Sequence, residues 1–192
     1  MNLLELRKEL ALFNKNGIAF LSSASIVWVL ISLVFMLPFE VGTQNILMLY
    51  ATGLTFPVAV MLSKWMDIDW KSKENPLNSL SLYLNMAQFI YFPILFWAFL
   101  KSPTSAVLFF AVITAAHLYP YGWLYATKAF YFFAPVLSTI LVIIGLFFVS
   151  DQLWMIPLTM AASLLLLNVV LYQDYKQKRN ASTPFTESVS FK

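Results

Sequence analysis

The sequence contains one histidine, His117, and it lies inside a long apolar segment. An imidazole can titrate near neutral pH, and an ionisable group inside a membrane segment is a candidate for function. Every Asp, Glu, Lys and Arg falls outside the apolar segments, so no carboxylate is available there to orient the ring. No second His, Cys or carboxylate stands at metal-ligand spacing, and we expect no metal, no cofactor and no catalytic residues. His117 is either a functional group or a neutral ring that joins two helices.

Neutral polar residues lie at a depth similar to that of His117. Asn85 and Gln88 are three residues apart, and His117 and Tyr121 are four apart, so each pair shares a helix face. At 1.5 Å per residue, His117 lies roughly 12 Å from the end of its segment, close to the depth of Gln88. We therefore predict a ligand-binding site formed by His117, Asn85, Gln88, Tyr121 and Ser138. The alternative is hydrogen bonding between helices, which is common in membrane bundles.

The residues from His117 to Tyr125 form the most distinctive segment, His-Leu-Tyr-Pro-Tyr-Gly-Trp-Leu-Tyr. Pro120 removes the hydrogen bond to the carbonyl of Ala116, and Gly122 permits unusual backbone. A broken helix end lined by aromatic rings could hold a small aromatic or cationic ligand. An aromatic girdle at the membrane interface is the alternative interpretation.

The composition predicts which fold can position these side chains. Of the 192 residues, 60% are apolar and only 11% are charged, far below the roughly one quarter charged of a soluble domain. Lipid accommodates this excess of apolar side chains, because it needs no second protein layer to cover them. The basic residues stand at segment ends rather than in a patch, which argues against nucleic acid as a partner. We predict a polytopic, all-α transmembrane helix bundle made of a single domain, residues 1–192.

The apolar segments divide this domain into six predicted spans. A short amphipathic interfacial helix precedes them at residues 1–16, because leucines alternate there with charges. A polar tail follows them at residues 173–192, and we expect disorder beyond its first helical turn. The predicted spans are about 17–37, 45–63, 79–100, 104–125, 129–149 and 152–172.

The distribution of Lys and Arg predicts the orientation. With six spans, eleven of the twelve basic residues fall on the side of the N-terminus, and only Lys101 falls on the other side. Basic residues concentrate in cytoplasmic loops. We therefore expect a multi-pass protein of the cell membrane with both termini cytoplasmic.

The sequence also resembles a family of small bacterial membrane proteins described only as a domain of unknown function. The likeness rests on Leu-Arg-Lys-Glu-Leu and Asn-Lys-Asn-Gly before span 1, on Lys-Glu-Asn-Pro-Leu before span 3, and on the segment that begins at His117. It covers nearly the whole chain and implies a location in a bacterial cell membrane. It implies no activity, cofactor or site residue.

Three hypotheses about function remain open at this point. The first is a polar and aromatic pocket in the cytoplasmic half, which binds or passes a small uncharged or weakly cationic ligand without ion coupling. The second is a membrane-embedded lipid-modifying enzyme with His117 as general base. The third is a structural or regulatory membrane subunit. Membrane lipids are expected partners in each case, and a homo-oligomer or a membrane protein partner stays open.

Overall fold

A computed structural model describes residues 2–68, 75–148 and 152–187. These residues form ten α-helices and two short 3₁₀ turns, at Lys15–Gly17 and Gln88–Tyr91, and contain no strand. The helices are α1 Leu3–Phe13, α2 Ile18–Met36, α3 Val41–Gly53, α4 Thr55–Trp65, α5 Asn78–Ala87, α6 Phe92–Lys101, α7 Pro103–Ala116, α8 Tyr119–Leu124, α9 Lys128–Phe148 and α10 Met155–Glu187.

Six helical stretches in this part of the chain are long and apolar enough to cross a membrane. They are span 1 Lys15–Met36, span 2 Val41–Trp65, span 3 Asn78–Lys101, span 4 Pro103–Leu124, span 5 Lys128–Phe147 and span 6 Met155–Ala181. The predicted all-helical fold with six spans is confirmed. Parts of three predicted features lie outside the described residues: the loop at 69–74, the end of span 5 at 149 with the turn at 150–151, and the last tail residues.

Three of the six spans are interrupted close to a proline. Span 2 breaks between α3 and α4, span 3 has a 3₁₀ turn between α5 and α6, and span 4 breaks between α7 and α8. Pro57, Pro93 and Pro120 each follow the break by a few residues. A proline has no N–H to donate to the carbonyl four residues earlier, so the helical ladder loses a hydrogen bond there. Irregular backbone within a membrane is tolerated where it is covered by protein or lines a cavity.

Span 1 is the central helix of the bundle. It packs against both halves of span 2 and against span 6. Asn168 joins spans 6 and 1, because it accepts a hydrogen bond from Ser22 (3.1 Å) and donates one to Ser25 (3.0 Å). Ser22 and Ser25 therefore act in helix–helix contact.

The N-terminal helix α1 packs over one end of the bundle, which we call the α1 side. The segment is helical, as predicted, and a capping box between Asn2 and Glu5 closes its first turn. Arg7 donates to the carbonyl of Trp123, near the end of α8. A cation at the C-terminal end of a helix is stabilised by the exposed carbonyls and the helix dipole. Leu10 is fully buried, so α1 packs on the other helices. The same helix also exposes apolar side chains.

The last helix extends further than the sequence suggests. Helix α10 continues to Glu187, whereas we expected order to end one turn into the tail at 173–192. Asp174 and Lys178 form an ion pair one turn apart (2.6 Å). Both also contact Asn16, which donates to Asp174 (2.9 Å) and accepts from Lys178 (3.2 Å). These contacts hold the extension against the start of span 1.

Candidate functional site

A cavity of about 470 Å³ lies in the half of the bundle nearest α1, among spans 1, 2, 3 and 4. Its volume is within the roughly 300–1,000 Å³ of small-molecule sites. All three proline-associated breaks contribute residues to its wall: Gly53 and Thr55 from span 2, Gln88 and Phe89 from span 3, and His117 from span 4. The interrupted backbone therefore lines a cavity.

Four of the five predicted site residues line this cavity: His117, Asn85, Gln88 and Tyr121. The fifth, Ser138, does not line it, although we expected it there. Its hydroxyl donates to the carbonyl of Ala134 one turn earlier (2.8 Å). Span 5 turns Ala134 and Leu137 to the core, and Ser138 stands beside that buried face. Four of the residues predicted from their depth thus come together, and the rotation of span 5 leaves Ser138 outside the cavity wall.

His117 ends α7, and its ring is held by its own helix. Nδ1 lies 2.6 Å from the carbonyl oxygen of Thr114. A carbonyl only accepts hydrogen bonds, so the proton of the neutral ring must be on Nδ1, and Nε2 is left as an acceptor. The ring also stands edge-on to Tyr121, with 6.0 Å between ring centroids. His117 thus presents a hydrogen-bond acceptor to the cavity.

The carbonyl of Ser81 joins spans 3 and 4 at the cavity wall. It accepts hydrogen bonds from the Asn85 amide (3.0 Å) and from the Tyr121 hydroxyl (3.2 Å). One N–H of the Asn85 amide is therefore already used, and its second N–H and Oδ1 remain for a ligand. Gln88 makes no side-chain hydrogen bond with any described residue, so its amide can both donate and accept.

The wall also contains polar residues that were missed from the sequence, among them Ser63 and Asn14. Ser63 is fully buried, and its Oγ has no hydrogen-bond partner in the described part of the chain. Asn14, in the connection before span 1, donates to Asn78 at the start of span 3 (2.9 Å). Ser63 lies at the end of an apolar helix and Asn14 among charged residues, so neither position carries a local signal of a site. Pro57 and Pro93 are the sequence signals of the interruptions in spans 2 and 3.

The cavity is closed at its α1 end by packed side chains. Gly17 has a positive φ of 78°, and an added Cβ there would lie 2.9 Å from the Tyr125 ring, so only glycine fits. Tyr125, just beyond span 4, is 4% exposed. Burial raises the pKa of Tyr125 to about 12, although hydrogen bonds with the Asn14 and Ser81 side chains oppose this effect. The phenol therefore stays protonated at neutral pH.

The far end of the cavity is apolar. Trp28 stacks on Phe110, with 5.2 Å between ring centroids, and both rings line the wall. Trp28 lies eleven residues along α2 from Gly17, a distance of roughly 16 Å at 1.5 Å per residue. The site therefore changes from polar near α1 to aromatic and aliphatic near the middle of the bundle.

Among the described residues that form the wall of the cavity, none is Asp, Glu, Lys or Arg. Throughout residues 2–68, 75–148 and 152–187, no three His, Asp or Glu side chains come together as a metal site would require. The chemistry that the site offers is thus hydrogen bonding, aromatic contact and apolar burial.

Comparison with protein families gives one match. The model of a family of unknown function matches residues 3–174, which include every residue that lines the cavity. No curated protein and no solved structure matches the chain.

Proposed function

The chain belongs to this family, DUF7010, and because a family of unknown function assigns no activity, we propose one from the cavity. The protein binds a small uncharged or weakly cationic ligand there, or passes it through the membrane, without ion coupling. The observation that carries this proposal is that His117, Asn85, Gln88 and Tyr121 share one cavity, and that none of the described residues in its wall is charged.

The charge of the ligand is limited by the wall. An anion would lose its hydration without meeting a cationic side chain, and burial of an unpaired charge is costly. A weak base can enter in its neutral form, and a cation can gain from the faces of tyrosine and tryptophan rings. Uncharged and weakly basic molecules are therefore the class that the site favours.

The absence of ion coupling follows from the absence of intramembrane carboxylates. Ion-coupled transporters commonly bind protons or sodium at Asp or Glu side chains inside the membrane. None of the lining residues has such a side chain. A protein that only binds its ligand, or lets it pass down a concentration gradient, needs no such carboxylate.

Hydrogen bonding in the site favours binding over catalysis. A general base needs a hydroxyl within reach, yet the Tyr121 hydroxyl donates to Ser81 and the Thr114 hydroxyl to the carbonyl of Phe110 (2.9 Å). Ser138 and Thr139 are absent from the cavity wall, and the Ser63 hydroxyl, which is in the wall, makes no hydrogen bond with His117. A lipid-modifying enzyme is therefore the weaker hypothesis.

We place the site in a cell membrane with the α1 side cytoplasmic. This orientation is supported by the eleven basic residues on that side and by Arg7 at a helix C-terminus there. The cavity then lies in the cytoplasmic half of the bundle.

Thermal unfolding with a defined compound panel tests the proposal. The panel contains alkyl and aryl alcohols, amides and primary amines, with the matching carboxylates as the charged controls. We expect neutral and weakly basic members to raise the melting temperature, since a compound at about 100 times its Kd stabilises by roughly 2.7 kcal/mol. Carboxylates should give no shift.

Substitution of the wall supplies the control for this measurement. Gln88→Ala and His117→Ala should reduce the shift, whereas Ser138→Ala should retain it, because Ser138 bonds only to its own helix. The proposal is wrong if no panel member stabilises the protein, or if all three variants respond like the wild type.

A further inference from the structure

We propose that the ligand is a single-chain amphiphile with a hydroxyl or amine head, which enters from the bilayer between spans 2 and 3. This inference rests on the proposed function and adds the chemical class of the ligand and its route. Three features of the cavity carry it: where its wall is exposed, which hydrogen-bonding atoms it presents, and where its apolar end lies.

The opening of the cavity lies between spans 2 and 3. Helix α4 packs on α2, and α5 contacts α8, but α4 and α5 do not pack closely against each other. All the exposed residues of the wall stand on these two spans, and its large ones are Phe56 (50%), Leu82 (39%), Met86 (54%) and Phe89 (49%). They are apolar and lie within membrane-spanning helices, so the opening faces hydrocarbon.

In the part of the chain that the structure describes, the α1 end offers no comparable opening. Asn14, Ser63 and Tyr125 line the cavity there, and each is buried. Ile68, after the end of span 2, is buried beside them. A molecule dissolved in the bilayer therefore reaches the cavity without crossing packed side chains, while a molecule in water on the α1 side does not.

The polar groups of the wall favour a ligand whose head group donates a hydrogen bond. Nε2 of His117 is left as an acceptor, because the ring's only N–H is already used, and Asn85 offers Oδ1 together with one remaining N–H. Gln88 and Ser63 can accept as well as donate. A hydroxyl or amine satisfies these acceptors, whereas an ether would leave them unpaired in a dry site.

The apolar end receives the chain of the amphiphile. Trp28 and Phe110 stack there, deeper in the bundle than the acceptors. Trp28 is only 2% exposed, so bulk lipid cannot contact it. A head at His117 and a tail toward Trp28 match the polar and apolar ends of the cavity.

Quenching of Trp28 fluorescence tests the proposal in reconstituted vesicles. The other five tryptophans are replaced by phenylalanine, and the probe is dodecan-1-ol brominated on its last two carbons. Bromine quenches only on contact, so the probe must enter the cavity to act. We expect saturable quenching by the alcohol, and binding at least about fivefold weaker for its methyl ether at equal membrane mole fraction. Brominated phosphatidylcholine should quench little.

Two glycine substitutions test the route. Gly53 lines the opening, and Gly42 stands outside the cavity on the same helix. A Cβ at either position meets no atom within 4 Å, so a larger side chain fits at both. Gly53→Phe should slow the onset of quenching severalfold, and Gly42→Phe should leave the wild-type rate.

The possible results distinguish a failure of this inference from a failure of the proposed function. Equal binding of alcohol and ether overturns the selection of a donor, and an unchanged onset in Gly53→Phe overturns lateral entry. Strong quenching by brominated phosphatidylcholine would also overturn the proposal, because Trp28 would then face bulk lipid. If the brominated probes fail while panel compounds still stabilise the protein through Gln88 and His117, the amphiphile is wrong and the binding site stands.

Discussion

At the scale of single residues, the structure separates polar side chains that join helices from those that face the cavity. The hydroxyls of Ser22 and Ser25 meet Asn168 across a helix interface. Gln88 makes no such bond, and His117 uses only one ring nitrogen. Both kinds of residue are neutral polar side chains within the spans, so the rotation of each helix decides whether they join helices or face the cavity.

Asn168 provides a prediction at this scale. Asn168→Ala removes two hydrogen bonds between spans 6 and 1, which average about 0.6 kcal/mol each in membrane bundles and reach about 1.7. We expect a loss of about 1–2 kcal/mol in the free energy of unfolding, measured in mixed micelles with a denaturing detergent. Ser138→Ala is the matched control and should change stability by less than about 0.5 kcal/mol. Equal effects of the two substitutions would contradict this role of Asn168.

The sequence predicts much of the site at the residue scale. His117 stands out as the only histidine, and the spacing of Asn85 and Gln88 gives them one face. Ser138 lies outside the cavity wall, and Ser63, which was overlooked, lies in it, for a shared physical reason. The face that a helix turns to a cavity depends on its packing against other helices, and a uniformly apolar helix shows no polar stripe from which to infer it.

At the scale of helices, the interrupted spans determine the shape of the cavity. Their number and boundaries follow from runs of apolar residues, which the sequence shows directly. The breaks at Pro57 and Pro93 were also visible, but a proline alone does not tell whether a helix kinks against a neighbour or leaves space beside it. The extension of α10 could not be predicted, because it depends on contacts of Asp174 and Lys178 with Asn16.

The packing of spans 4 and 5 provides a prediction at the helix scale. An added Cβ at Gly122 would lie 2.9 Å from the Tyr131 ring, so helix α8 approaches α9 closely only because this residue is glycine. Gly122→Ala should cost about 1–3 kcal/mol in the free energy of unfolding, as overpacked sites do. Gly42→Ala, where the new Cβ meets nothing within 4 Å, should be neutral or stabilising. A stabilising Gly122→Ala would show that the two helices are farther apart.

At the scale of the whole molecule, a continuous uncharged interior is combined with polar chemistry on one side. The α1 side holds the predicted basic majority and the polar end of the cavity. At the opposite end, Asn45 joins spans 2 and 4 through the carbonyl of Pro103 (2.8 Å). The polar end of the cavity is a property of the complete bundle, because spans 2, 3 and 4 each contribute part of its polar groups.

Labelling of single cysteines tests the predicted orientation of the molecule in the membrane. The chain has no native cysteine, so each introduced thiol reports one position. With the α1 side cytoplasmic, Glu40→Cys and Lys101→Cys should react with a membrane-impermeant maleimide added to intact cells. Lys128→Cys and Gln173→Cys should react only after the cells are opened. The reverse pattern would place the cavity in the outer half of the membrane.

The most direct test of the central claim is a cryo-EM map of the protein in lipid nanodiscs formed from native membranes, with a rigid binding partner to add mass. We predict an open space between α5 and the first two spans, with elongated non-protein density that begins beside His117 and Gln88 and ends near Trp28. A map in which α5 packs directly on α2 and α4, with the His117 ring turned to lipid, would contradict the claim that these residues form a ligand-binding cavity.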